Sequence, residues 1–262
     1  MVKTLILTII LLLLIPCSIF ADAYPVYENV SVDIDGNIYY ENANLLIDGI
    51  TYVQYEDYLN ILSLEKKIDF DININTDYNC VIANDRYLYY GDCAVYIDNN
   101  LYLPIRILSK VFNSVIEWDG SQKKVSVTTE TGTLENGEIY YNYDDVYWLS
   151  RIICAESDSE SFEGKLAVGT VIMNRVAAEQ FPDDIYSVIF DSEYGIQFTP
   201  AKTNRIYTVP DEECVIAAKI CLDGYRTDPG ILYFIDESIA VNKWVPENRM
   251  YLFTIGCHDF YS

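Results

Sequence analysis

Apolar and polar positions alternate with a period of two from residue 24 to about 128, and recur with a period near 3.6 after about residue 143. The first half holds runs such as Val30-Ser-Val-Asp-Ile34 and Val125-Ser-Val127, broken by Asp-Gly and Asn-Asn turn signals. That pattern predicts short, half-buried strands. The half also repeats itself: Ile47-Asp-Gly-Ile-Thr-Tyr-Val53 aligns with Ile97-Asp-Asn-Asn-Leu-Tyr-Leu103, and a helical pattern follows each, through Leu62 and Phe112. Two copies predict a duplicated strand-turn-strand-helix unit within one small domain.

Residues 129–143 are polar and contain Gly132 and Gly137, as a linker should. Beyond them Val146, Leu149 and Ile153 recur at i, i+3 and i+7 of a helix, and Glu156 falls at i+10. Its carboxyl therefore lies on the stripe that should face the core. A buried carboxyl favours its neutral form, and the negative end of the helix dipole pushes the same way, so Glu156 is placed to hold a proton it can donate. The plainer reading is a surface acid at a helix end. A second helix follows, with Phe162, Leu166, Gly169, Met173 and Val176 on one face, then a third from Pro210-Asp-Glu-Glu213 to Gly224 as its C′ residue. The tail predicts strands over 231–235, 250–254 and a last segment ending at Tyr261. The expected fold is α+β, with helices first and a small sheet last in the second domain.

The 262 residues, 51% of them hydrophobic, suffice for two modest domains with real cores. A formal charge of −23 excludes nucleic acid and anionic membrane surfaces as partners, since both demand clustered Lys and Arg. Met1-Val-Lys3, an apolar stretch from Leu5 to Ile15 and then Ala21-Asp22-Ala23 match a secretory signal peptide over residues 1–23. The stretch is shorter than the ~20 residues that span a bilayer, so no stable membrane anchor is expected after cleavage. In an oxidising compartment Cys80 and Cys93 are candidates for a disulfide, with Cys154, Cys214, Cys221 and Cys257 as further candidates. One His and no C-x-x-C pair make a metal site improbable, and no cofactor is expected.

Two resemblances emerge from the motifs. Ile97 through Leu103-Pro-Ile-Arg106, Val115-Ile-Glu-Trp118-Asp-Gly and Lys124-Val-Ser-Val127 resemble the copper amine oxidase N-terminal-like (stalk) domain, which implies an accessory or spacer module over 24–128 and no copper. Leu149 through Glu156, Glu163-Gly164, Ala167 through Asn174-Arg175-Val, Gln197-Phe198-Thr199, Ala217-Ala218, Leu232-Tyr233-Phe234, Lys243-Trp244 and Ile255-Gly-Cys-His258-Asp-Phe260 resemble the catalytic domain of the spore cortex-lytic and cell wall hydrolase family, over 144–262. That resemblance implies a lysozyme-like, mainly helical fold with a small C-terminal sheet, acting on the glycan strands of peptidoglycan outside the cytoplasm, in the cell wall or the spore cortex. Other wall components are possible partners of the N-terminal domain.

It also implies Glu156 as the catalytic acid, with Gln197, Phe198, Thr199, Tyr233, Asp236, Lys243, Trp244 and His258 at the sugar cleft. Asn174 and Arg175 read as structural. Asp236 departs from the family's Tyr-Asn-Pro and would lose an amide donor to an acetamido group. Glycoside hydrolysis ordinarily takes a second carboxylate, whereas a lytic transglycosylase uses the sugar's own C6 hydroxyl. A lone prominent acid thus favours 1,6-anhydro-muramyl products, with a muramidase-type hydrolase as the alternative. A Cys154/His258 cell-wall peptidase and a non-catalytic wall-binding protein are the rivals from other classes.

Overall fold

The computed structural model describes residues 27–39, 44–66, 72–129, 134–193, 198–240 and 242–262. The expected signal peptide and Gln197 lie outside these residues. The N-terminal half forms β1 (Glu28–Asn29), β2 (Ser31–Ile34), β3 (Asn37–Tyr39), β4 (Leu45–Ile47), β5 (Ile50–Gln54), α1 (Tyr55–Lys66), β6 (Ile72–Asn75), β7 (Cys80–Ala83), β8 (Arg86–Tyr89), β9 (Val95–Ile97), β10 (Asn100–Pro104), α2 (Ile105–Val111), β11 (Ser114–Asp119) and β12 (Lys124–Thr129). The strands make sheets in the orders β1-β4-β5-β10-β9, β11-β12-β2-β3 and β6-β7-β8. The sequence repeat is a structural one. β4–β5 and β9–β10 are two-residue hairpins, each running into a helix, and they meet where β5 pairs antiparallel with β10, Val53 opposite Leu103. Both turns, Asp48-Gly49 and Asp98-Asn99, have positive φ at both residues (49° and 80°, 49° and 63°). This backbone suits the twist of the flanking strands and explains the Asp-Gly and Asp-Asn sequences.

The second half comprises α3 (Gly137–Tyr140), α4 (Tyr143–Ser157), α5 (Phe162–Ala177), α6 (Ile185–Phe190), single 3₁₀ turns at Thr199–Lys202 and Asn204–Tyr207, α7 (Glu212–Leu222), β13 (Tyr233–Ile235), α8 (Trp244–Asn248), β14 (Tyr251–Ile255) and β15 (His258–Tyr261). The chain is α+β, strand-rich first and helical second, as its periodicities predict. Capping follows from local chemistry. Asn142, Ser161 and Asp211 accept hydrogen bonds from the first-turn amides of α4, α5 and α7, and Gly224 takes the left-handed φ of +93° just past the end of α7. Helix α5 is buried almost all round because both its sides meet partners. Leu166, Val168 and Ile172 join α4 and α7, while Ala167 and Val171 pack on Ile231 and Phe260 of the C-terminal sheet segment. Gly169 lets α5 approach closely: a Cβ there would sit 2.8 Å from Cys221 Sγ and 2.9 Å from Ile153 Cδ1. Gly169→Val is therefore expected to destabilise the protein by about 2–3 kcal/mol, read as a lower denaturant midpoint.

The sheet β6-β7-β8 lies between the two cores. Successive side chains of a strand point to opposite faces, so Val81, Ala83 and Leu88 enter the N-terminal core while Cys80, Ile82, Tyr87 and Tyr89 pack with the helices. Rings interlock there: Tyr78 stands 4.9 Å from Phe162 and Tyr89 4.5 Å from Tyr225. Arg86 of β8 donates to Asp223 at the end of α7 (Nε to Oδ1, 2.8 Å), and Tyr141 Oη donates to the same carboxylate. The ion pair is secluded, with side chains 11% and 2% exposed. Burial and the negative charge of Asp223 push the Tyr141 hydroxyl far above its ordinary pKa. The segment with linker-like composition is also held down: Leu134 is buried in the N-terminal core, and Gly137 N donates to Asn84 O at 2.8 Å. No Cys80–Cys93 disulfide forms. Cys80 is sealed beneath the helices and Cys93 is exposed, and the six described cysteines are all free.

Candidate active site

Glu156 is the penultimate residue of α4, whose Leu149, Ile152 and Ile153 are fully buried. The helix thus carries the carboxyl to the edge of the core, where burial pushes its pKa up to about 7, against a smaller pull downward from the Arg205 guanidinium. Arg205 comes from the turn Asn204–Tyr207, and it had no signal in the sequence. At about 7 the group holds a proton through mildly acidic and neutral conditions and can also release it.

The turn after Glu156 is fixed from below. Lys165, buried in the second turn of α5, donates to Glu160 O at 2.8 Å and Asp158 O at 3.4 Å and pairs with Glu213 at 3.1 Å. A lone Lys immediately before the Leu166–Ile172 run is the sequence signal for this anchor. The Glu160 carboxylate in turn accepts from Cys257 N at 3.2 and 3.3 Å, latching the β14–β15 turn to the α4–α5 turn. Gly256 is required at that latch. Its φ is +58°, and a Cβ would overlap the Glu160 carboxylate. Gly256→Ala is expected to break the latch, lowering stability by roughly 1–2 kcal/mol in thermal unfolding.

His258 follows, buried, with its ring 5.0 Å from that of Phe234. Burial lowers its pKa, opposed by the charges of Glu160, Asp236 and Asp259. Phe198 packs on the other side of this group, 6.1 Å from Phe234, and is only 2% exposed, so it anchors its segment and has no face left for a ligand. Thr199, the next residue, is exposed at the start of its 3₁₀ turn.

Tyr233 and Trp244 form a separate group, ring centroids 6.3 Å apart, with the Arg249 guanidinium 4.7 and 4.9 Å from them; Arg249 also donates to Tyr233 Oη at 2.9 Å. Trp244 is 46% exposed. Lys243 Nζ donates to Glu237 O at 2.8 Å, so it closes its own loop. Asp236 is occupied by the same loop. Its Oδ1 accepts from Ser238 N and Oγ at 2.9 and 2.5 Å, bonds that hold its carboxyl below the ordinary range. Beneath both groups runs Arg175, buried on α5, donating to Leu232 O at 2.8 Å and lying about 5 Å from the rings of Phe181, Phe198 and Tyr233. Burial lowers its pKa to about 10. Asn174 donates to Asp228 O and Ile231 O, both at 2.9 Å, so this pair clamps the strand segment, as a structural reading requires.

The structure therefore divides the expected residues. Glu156 faces Arg205; Phe198 and His258 converge on Phe234; Tyr233 and Trp244 share Arg249. The peptidase pair is not assembled, since Cys154 is held against Cys214 of α7 whereas His258 belongs to the sheet. A cavity of about 690 Å³ lies at the domain junction, lined by Tyr90, Arg106, Trp118, Glu163 and Tyr225 among others, and none of the expected site residues among the described residues borders it.

Comparison with known proteins found two family matches. Residues 159–261 match the cell wall hydrolase family, and residues 51–128 match the copper amine oxidase N-terminal domain. The C-terminal half thus carries a cell wall hydrolase domain. It is 30% identical over 120 residues to the spore cortex-lytic enzyme of Bacillus cereus, covering 46% of this chain and 45% of that protein, so it spans about half the length of the curated relatives it matches. Solved structures of the catalytic domain of SleB from Bacillus cereus and Bacillus anthracis are each 30% identical, covering 47% and 49% of this chain and 92% and 100% of theirs, with TM-scores of 0.42 and 0.43. The family match begins three residues after Glu156, so the role of that residue rests on its position and chemistry.

Proposed function

We propose that this chain is an exported enzyme that degrades peptidoglycan by cleaving the glycosidic bond between N-acetylmuramic acid and N-acetylglucosamine, and that it acts as a lytic transglycosylase. The family of the C-terminal domain supports the substrate class. The observation that carries the mechanism is Glu156, a carboxyl raised to about 7 whose charged neighbour is a cation. A second carboxylate paired for hydrolysis would push this pKa further up, whereas the charge acting on Glu156 is that of Arg205, and Glu160, four residues on, accepts from Cys257 N.

In this mechanism Glu156 gives its proton to the bridging oxygen as the bond from the muramyl C1 breaks. The ionised carboxylate then takes the proton from the muramyl C6 hydroxyl, whose oxygen bonds to C1 and closes a 1,6-anhydro ring. Glu156 returns to its protonated form and no water is consumed. Arg205 stabilises the carboxylate during the interval between the two transfers. Export, and a wall or cortex location, follow from this substrate.

Digestion of purified peptidoglycan followed by mass spectrometry of the fragments tests the proposal. Anhydro-muramyl ends that vanish in Glu156→Gln and persist in Cys154→Ala are the expected result. Reducing muramyl ends would replace it by hydrolysis, cut stem peptides would replace it by a peptidase, and undigested sacculi with the wild-type protein would leave only wall binding.

A further inference from the structure

Two helical turns before Glu156, α4 carries an aromatic surface that includes none of the expected site residues. Trp148 is its half-buried hub, meeting Tyr186 and Phe190 of α6 edge-on at 5.1 and 5.3 Å and Tyr207 at 6.3 Å. Tyr186 is 51% and Tyr207 58% exposed, an unusual investment of large rings at a surface. The rim is acidic. Asp145 lies beside the patch, its pKa raised by partial burial and then by the charges of Asp144 and Asp184, while Asp184 caps α6.

These chemistries select a ligand. Carboxylates around an aromatic face repel an anionic surface and also a second copy of a chain carrying −23. They accept hydrogen bonds from hydroxyls, and an aromatic face packs against the apolar C–H face of a pyranose. A neutral, polyhydroxylated ring satisfies both. The patch is also continuous with the candidate acid, because the turn Asn204–Tyr207 brings Arg205 to Glu156 and Tyr207 to Trp148. Along α4 the eight residues from Trp148 to Glu156 span ~12 Å at 1.5 Å per residue.

We propose that Trp148, Tyr186 and Tyr207 form a glycan-binding platform that grips the sugar strand ~12 Å from the bond presented to Glu156. The platform rests on the reading of Glu156 as the acid that cuts a glycan. It gives the enzyme a hold on long strands independent of the bond being cleaved, and so biases cleavage toward polymer over short fragments.

The test uses the full chain carrying Glu156→Gln, which binds without cutting, and purified peptidoglycan sacculi as the probe. Adding Tyr186→Ala and Tyr207→Ala is expected to raise Kd about tenfold, whereas Tyr186→Phe with Tyr207→Phe, which keep the rings, stays within about twofold. Unchanged affinity in the alanine pair overturns the platform, as does an equal loss in the phenylalanine pair. A concentration-dependent dimer abolished by the alanine pair would also overturn it, in favour of self-contact. Should the alanine pair fail to fold, Tyr207→Ala alone is measured, with an expected loss of about threefold. Persistent cutting by Glu156→Gln would sink the catalytic reading and leave the binding isotherms to judge the platform.

Discussion

Glu156→Gln is expected to reduce fragment release from peptidoglycan by about 10³-fold, the scale of removing a group that acts as acid and then base. Glutamine keeps the shape and has no proton to give. The raised pKa also predicts the pH profile. The acid must be protonated to start the reaction, so kcat/KM should fall as pH rises through about 7. Arg205 pulls this pKa down, so Arg205→Gln should move the alkaline limb of the profile upward. An unmoved limb would mean that some other group sets it.

The same residue makes a stability prediction with a definite sign. The folded pKa of Glu156, about 7, lies above its ordinary value of 4.5, so the native state binds the extra proton between those values. Stability associated with the neutral carboxyl is complete below about 4.5 and is lost as pH rises through about 7. At ~1.4 kcal/mol per unit, the loss amounts to as much as ~3 kcal/mol. Glu156→Gln, which stays neutral, should therefore match the wild type near pH 4 and exceed it at pH 8 in thermal unfolding. An inactive variant that is more stable only at high pH would separate a strained catalytic acid from an ordinary surface one.

Asp223→Ala is expected to cost about 3–5 kcal/mol, because it strands the secluded Arg86 guanidinium and removes the acceptor for Tyr141. For a protein of this size that corresponds to a fall in Tm of about 10 °C. Replacing both partners, Arg86→Met with Asp223→Leu, should restore most of the loss, since what is costly is a buried charge without its partner. Equal loss in the single and double variants would show that the ion pair itself, and not its orphaned half, supplies the stability.

Periodicity made most of the architecture legible. The α4 stripe ends at Glu156 as its spacing requires, α5 follows Phe162 through Val176, and the three C-terminal strands fall within a residue or two of expectation. The small helices α6 and α8 and the two 3₁₀ turns were not legible, because five or six residues are too few to establish a period. The candidate site was legible where one residue breaks a local rule, as Glu156 does, and illegible where a side chain acts across a fold. Arg205 is an unremarkable surface arginine in sequence, and its meaning comes only from lying opposite α4. Phe198 and Asp236 show what sequence leaves out: the first is taken up by packing and the second by bonds of its own turn. Cys80-Val-Ile-Ala83, in contrast, carries its placement in its sequence, since a strand apolar at every position has both faces covered.

That small sheet changes what the two halves are to one another. A bead on a string can be cut off without harm, but here removal of residues 72–93 would uncover Phe162, Tyr225 and Asp223 on the helical side and leave an oily, charged scar. The hydrolase half thus depends on its neighbour as a subunit depends on its obligate partner, with the difference that the partner is always present at one copy and in the right place. Shuffling the stalk domain for another would need the new module to bring its own sheet face and its own arginine.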